Sequence, residues 1–149
     1  FAMLIKDIMV KEVICVNSDT PISEVTSLLS ENRIHGVPVI DKDRKVLGII
    51  TETDFFTKDA SNMHLPSFID FIRSEAKEEE IRENPDMKPL LDATAKDIMS
   101  SPCETMSANQ SVEELITYFK NNSYTTMPVI DEKGILCGVV TVADIIRLL

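Results

Sequence analysis

Val37-Pro38-Val39-Ile40-Asp41, followed shortly by Gly48-Ile49-Ile50-Thr51-Glu52-Thr53-Asp54, decides how this chain is organised. Both strings return, as Met127-Pro128-Val129-Ile130-Asp131 and as Gly138-Val139-Val140-Thr141-Val142-Ala143-Asp144. The offset is ninety residues, and it runs without a gap from Lys6–Thr57 against Lys96–Arg147. Further identities fall at Lys6, Asp7, Ile8, Met9, Glu24 and Asn32, at segment boundaries where chance likeness of apolar patterns would not put them. The chain is one unit written twice.

Working outward from the two strings gives the unit's elements. Proline lacks an amide N–H, so each P-V-I run belongs at a strand start or edge. A polar turn follows, Lys42 to Lys45 or Glu132 to Gly134, and then a second apolar run, Val46 to Ile50 or Ile135 to Val140, closes a hairpin. Upstream, Thr20-Pro21 is expected to be an N-cap and a first helical residue, with Ile22, Val25, Leu28 and Leu29 at helical spacing. The copy carries Val112, Leu115, Tyr118 and Phe119. Before each helix a short apolar stretch, Val13 to Val16 or Cys103 to Met106, reads as a strand after a K-D-I-M turn. Thr51 to Asp54 and Thr141 to Asp144 have the T-x-x-[DE] form of a capping box. They open a last helix with Phe55 and Phe56, or Ile145 and Ile146, on its apolar side. Each unit is therefore β-α-β-β-α, an α/β (α+β) arrangement.

A unit of this size is near the lower limit for folding alone, so the two copies are expected to pack on each other. The division that follows is 3–60 for the first repeat, 61–93 for an acidic linker and 94–149 for the second repeat. In the linker Leu65, Phe68, Ile69 and Ile72 share one helical face, and Lys77-Glu78-Glu79-Glu80 supplies a solvated one. A linker helix is expected, ending before Asn84-Pro85. Phe1 and Ala2 precede Met3, where the native chain is expected to begin.

With 149 residues and 44% hydrophobic composition, a sizeable core is within reach, since a chain of this length removes roughly 70% of its extended surface from water. Cys15, Cys103 and Cys137 are odd in number and widely spaced, which speaks against a disulfide framework and a zinc site and fits a reducing cytoplasm. No run of eighteen apolar residues and no signal pattern occurs, so no membrane span is expected. Fifteen Lys and Arg against twenty-five Asp and Glu give a net charge of −10. Such a surface repels nucleic acid and anionic lipid, although one cleft can still hold a small anion. His35 and His64 have no companion carboxylates at metal-ligand spacing, and no set of nucleophile, base and orienter is present. No catalytic residue and no metal are assigned, and no cofactor is required.

The T-x-x-D chemistry has two readings. A helix N-terminus favours an anion, and the Thr51 or Thr141 hydroxyl adds a donor to it. Asp54 or Asp144, one turn on, is placed to accept both hydroxyls of a ribose. Equally, Thr caps the helix and Asp caps back, which needs no ligand. Lys58, Arg147, Arg33 and Arg44 are the nearest cations, each also accounted for as a surface residue, and so few favour a mono- or diphosphate over a triphosphate.

The paired P-V-I-D and G-h-h-T-x-x-D strings, where h is aliphatic, resemble those of a tandem of cystathionine-β-synthase-type (CBS) domains, a Bateman module. The resemblance covers nearly the whole chain. It implies two repeats about a pseudo-two-fold axis, with two clefts that take an adenosine-containing ligand, AMP, ADP or ATP, as a regulatory signal. It also implies S-adenosylmethionine and cyclic di-AMP as alternatives. On the resemblance, Thr51, Asp54, Thr141 and Asp144 bind the nucleotide. The strand mouths His35, Gly36 and Val37, and Thr125, Thr126 and Met127, border the phosphate, and Ile14 and Cys15, like Glu104 and Thr105, border the adenine. Glu104 and Thr105 make the second rim the more polar. A homodimer and a separate effector protein are the partners implied. The competing expectation is a ligand-free dimerisation or docking module.

Overall fold

The computed structural model of the chain describes residues 3–51, 54, 59–60, 63–64 and 93–148. The first repeat runs β1 (Val16–Asn17), α1 (Ile22–Glu31), β2 (Gly36–Ile40) and β3 (Val46–Thr51), with Asp54 helical beyond it. A two-stranded ribbon follows, β4 (Asp59–Ala60) and β5 (Met63–His64). After it come α2 (Ala95–Ile98), β6 (Met106–Ser107), α3 (Val112–Asn121), β7 (Thr126–Ile130), β8 (Leu136–Thr141) and α4 (Val142–Ile146). Each repeat makes a three-stranded mixed sheet: β1 runs parallel to β2 across α1, and β2 pairs antiparallel with β3. The second sheet repeats this as β6-β7-β8.

Two expectations are corrected. The first strands do not span 13–16 and 103–106. Ladder pairing starts only where Val16 meets Val39 and Met106 meets Val129, and the preceding residues cross over to the other repeat. Pro21 is the N-cap rather than the first helical residue, with φ −60° and ψ 144°, and the Thr20 hydroxyl instead accepts the Asn17 N–H at 3.0 Å. The ribbon β4-β5, which no pattern announced, pairs Asp59 with His64 and Ala60 with Met63. The expected linker helix over 65–72, the acidic run 77–80, and Phe55, Phe56 and Lys58 lie outside the described residues.

The two repeats exchange segments. The first core gathers Val16, Ile22, Val25, Leu29, Val37, Val39 and Ile50, and is completed by Ala93, Ala95 and Ile98 from the far side of the linker. The second core, Met106, Leu115, Met127, Val129 and Val140, takes in Ile5 from the N-terminal 3-10 turn Ile5–Asp7. Backbone bonds fasten the exchange: Ile5 N–H donates to the Gln110 carbonyl at 2.9 Å, and Ala95 N–H to the Thr20 carbonyl at 2.8 Å.

The bridges between segments reveal the symmetry. Val10 pairs with Val139 and Ser100 with Ile49; Leu4 pairs with Ser111 and Thr94 with Pro21. Adding the ninety-residue offset turns each pair into its mate with the roles reversed. Lys45 pairs with Ile135, its own equivalent, so the pseudo-two-fold axis passes there. Among the described residues, no helix is long and apolar enough to cross a membrane.

Candidate functional site

A cleft of about 290 Å³ opens between the repeats. One wall comes from the first repeat: Ile14 from the crossing segment, then Ile34, His35, Gly36 and Pro38 at the mouth of β2. The other comes from the second: Thr126, Val139, Thr141, Ala143, Asp144 and Arg147. Of the residues singled out from the sequence, Ile14, His35, Gly36, Thr126, Thr141 and Asp144 line this cleft. Cys15 is half-buried and Thr125 exposed, both outside its lining, and the Val37 side chain is fully buried in the first core.

The T-x-x-D residues form caps. Asp144 Oδ2 accepts the Thr141 N–H at 2.8 Å and lies 3.1 Å from the Thr141 hydroxyl, which in turn accepts the Asp144 N–H at 3.3 Å. Asp54 repeats the first of these bonds, accepting the Thr51 N–H at 2.8 Å. Asp144 Oδ1 is held from outside by Arg147 Nη1 at 2.8 Å. That ion pair leaves the carboxylate 9% exposed beneath a guanidinium 75% exposed.

Two further features bear on ligand chemistry. The Thr126 hydroxyl, in a residue 6% exposed, has no hydrogen-bond partner. A buried hydroxyl left unpaired costs about 1–3 kcal/mol, which makes it a standing acceptor or donor in the cleft wall. Facing it is Gly36, its equivalent in the first repeat, where an added Cβ would lie 3.3 Å from the Thr126 Oγ1. Arg33, at φ 52°, and Glu12 complete the charged rim.

Among the described residues, part of the symmetry-related region forms a smaller pocket. Ile49, Ser100, Pro102, Cys103, Glu104, Tyr118, Tyr124, Thr126 and Met127 enclose only about 20 Å³. At the positions equivalent to Leu28, Ile34 and Gly36 the second repeat has Tyr118, Tyr124 and Thr126, and the two tyrosines stack with centroids 6.2 Å apart at 12°. Burial, reinforced by Glu104, pushes the Cys103 thiol up to about 11. Burial also raises Tyr118, with Glu104 again contributing. The polar rim was read from Glu104 and Thr105, but the filling was not. Tyr118 looked like one more apolar helix position, and Tyr124 carried no motif.

Comparison with known proteins fixes the family. The CBS domain profile matches residues 5–61 and 95–149. The chain belongs to the CBS domain family. This CBS pair is 33% identical over 156 residues to the uncharacterized protein MJ1426 of Methanocaldococcus jannaschii, covering 99% of the chain and 91% of the relative. Among solved structures, the CBS domain pair of protein MJ0100 in complex with 5′-methylthioadenosine and S-adenosyl-L-methionine superposes with a TM-score of 0.70 at 24% identity. It covers 99% of this chain and 96% of that one. CBSX2 in complex with AMP, a protein of Arabidopsis thaliana, gives 0.73 at 18% identity, covering 98% and 95%. At these identities the two structures establish the shared fold. Among the described residues, no group of three or more His, Cys, Asp or Glu side chains is placed to hold a metal ion.

Proposed function

We propose that this CBS pair is a regulatory module that senses an adenosine-containing nucleotide, of the AMP, ADP or ATP class, in the cleft between its repeats. It signals by a change in how the repeats pack, and it does so without catalysis. The observation that carries the reading is the unpaired Thr126 hydroxyl, nine-tenths buried in the wall of the cleft between the repeats. A polar group held out of water without a partner is stabilised when a ligand supplies one. The cleft also gathers what a nucleoside phosphate asks for. Ile14 and Ile34 give apolar area for a base, Asp144 a carboxylate for ribose hydroxyls, and Arg33, His35 and Arg147 donors for an anion. At about 290 Å³ it stands at the lower end of small-molecule sites, roughly 300–1,000 Å³. That MJ0100 and CBSX2 bind adenosine compounds supports the same ligand class here. In this reading Thr51, Asp54, Thr125 and Met127 are structural.

The test is a thermal-shift panel with AMP, ADP, ATP, S-adenosylmethionine and cyclic di-AMP. A ligand that binds only the folded chain adds about 2.7 kcal/mol at one hundred times its dissociation constant, a shift of several degrees. Thr126→Val should leave the ligand-free chain unharmed or more stable and reduce the shift. A flat panel on folded protein would end the sensor reading and favour a ligand-free docking module. Ile146 and Leu148, 61% and 45% exposed, favour self-association within either reading. Dimers disrupted by Ile146→Glu in sedimentation would support that arrangement. The free cysteines fit action in the cytoplasm.

A further inference from the structure

We propose that Arg147 sets the cleft's preference for phosphorylated over unphosphorylated adenosines, by exchanging Asp144 for the ligand's anion; this rests on the sensor reading above. A carboxylate offers about four lone-pair positions. In the closed cap the Thr141 N–H and hydroxyl take Oδ2, and the Arg147 guanidinium takes Oδ1 at 2.8 Å. About one position is left. A ribose diol needs two, so it cannot dock on Asp144 while Arg147 stays. The cap bonds are internal to the turn and tie strand to helix, whereas Arg147 is 75% exposed and joins through rotatable side-chain torsions. Arg147 is therefore the donor that yields.

What happens to the released guanidinium decides the specificity. Arg147 lines the cleft as well as pairing with Asp144, so a phosphate on the same ligand gives it a new partner within reach. The ion pair is replaced by another with better bidentate geometry, and the diol takes over the carboxylate. An unphosphorylated adenosine breaks the same ion pair and returns nothing to the arginine. On a chain of net charge −10 that difference matters, because an anion is otherwise repelled. The equivalent of Arg147 in the first repeat is Thr57, so the device belongs to one cleft.

The experiment is calorimetric titration of AMP and of adenosine into the wild-type chain, Arg147→Gln and Arg147→Lys. Arg147→Gln should weaken AMP by about tenfold or more, the loss of a charge-assisted contact, while adenosine stays unchanged or tightens. Arg147→Lys should keep most of the AMP affinity. In the wild type, added salt should weaken AMP and strengthen adenosine, since adenosine must first break an ion pair that salt screens. AMP and adenosine weakening together in Arg147→Gln, or salt slopes of the same sign, would overturn the proposal and leave the sensor reading standing. If neither compound nor any other adenosine ligand binds the wild type, both fall.

Discussion

Asp144 holds two jobs at one carboxylate, and the geometry separates them. Its Oδ2 closes the cap on Thr141, so removing the side chain costs stability even with no ligand present. Loss of such a cap costs about 0.5–2 kcal/mol. Asp144→Ala should therefore lower the ligand-free melting temperature by a few degrees and, beyond that, abolish the increment produced by AMP. The ligand role is read from the difference between the two differences in paired melts. Asp144→Asn, which keeps an acceptor for the Thr141 N–H, should recover part of the first loss and little of the second. Cys103 makes a separate case at the same scale. Its thiol stands at about 11, against 9.0 for a free one, through burial and the nearby Glu104. The folded state thus prefers the neutral thiol. Its contribution to stability is complete below pH 9 and is lost as pH rises through about 11. Alkylation of Cys103 should be slow at pH 8 and climb with an apparent midpoint well above that of a free thiol. Cys103→Val, which installs the residue found at the equivalent Val13, should flatten the alkaline fall in melting temperature. A wild-type alkylation midpoint near 9 would remove the burial argument.

At the scale of elements, the identities between the repeats mark what each element needs to start, stop or pass another. Asn32 and Asn122 each donate from the side-chain amide to the carbonyl four residues back, at 2.9 Å, closing α1 and α3. Asp41 Oδ1 accepts the N–H groups of Asp43 and Lys45, and Asp131 Oδ1 those of Lys133 and Ile135, which builds the hairpin turns. In those turns Gly134 takes φ 80°, and its equivalent Arg44 takes φ 62°. These features were legible because caps and turns are local, and local bonds demand particular side chains at fixed spacing. The same holds for the hairpins and for α1, whose buried Ile22, Val25 and Leu29 keep helical spacing. Gly48 and Gly138 were legible as a repeated pair, but their reason was not, because it lies in the other repeat. A Cβ on Gly48 would come within 2.6 Å of the Ser100 carbonyl oxygen and 2.9 Å of the Met99 Sδ. On Gly138 its three nearest neighbours would all be atoms of the Met9 side chain, 2.8 Å from Cγ and nearer to Sδ. The two substitutions should therefore differ. Gly48→Ala presses on backbone that is itself bonded to Ile49 and should cost about 1–3 kcal/mol or more. Gly138→Ala presses on a flexible side chain and should cost less. Adding Met9→Ala should relieve Gly138→Ala, a positive coupling in a double-mutant cycle of denaturant melts, whereas Met99→Ala should leave most of the Gly48→Ala penalty in place.

The whole molecule is held together by exchange, and this also governs how a ligand can act on it. Ile5, fully buried, belongs to the second core, and Ile98, 1% exposed, to the first, so neither repeat owns all of its interior. The roomy cleft obeys the same logic: its first-repeat wall and its Thr141–Asp144 wall meet only when the repeats are docked. Sequence patterning could show two units and an expectation that they pack. It could not show which segment crosses to which core, because K-D-I-M reads identically in both copies and crossing is a matter of three-dimensional partners. Nor could it show that Tyr118 stacks on Tyr124 beside Glu104 at the rim of the second repeat, since that depends on how α3 and the loop before β7 pack. The exchange predicts one cooperative unfolding transition for the whole chain, with far-ultraviolet ellipticity and calorimetric heat following the same curve. Residues 3–60 alone lack Ala93, Ala95 and Ile98, and residues 93–149 alone lack Ile5, so each fragment should remain largely unfolded. Mixed in equimolar amounts they should regain structure, because each carries the piece that completes the other's core. Ile5→Ala and Ile98→Ala should each cost about 2–5 kcal/mol and shift the single transition as a whole, although the two side chains lie in different cores. A biphasic melt in either variant, with one repeat surviving, would mean that the cores are independent. A ligand spanning the cleft could then tighten the contact between repeats without stabilising the interior of either, and its signal would be confined to their orientation.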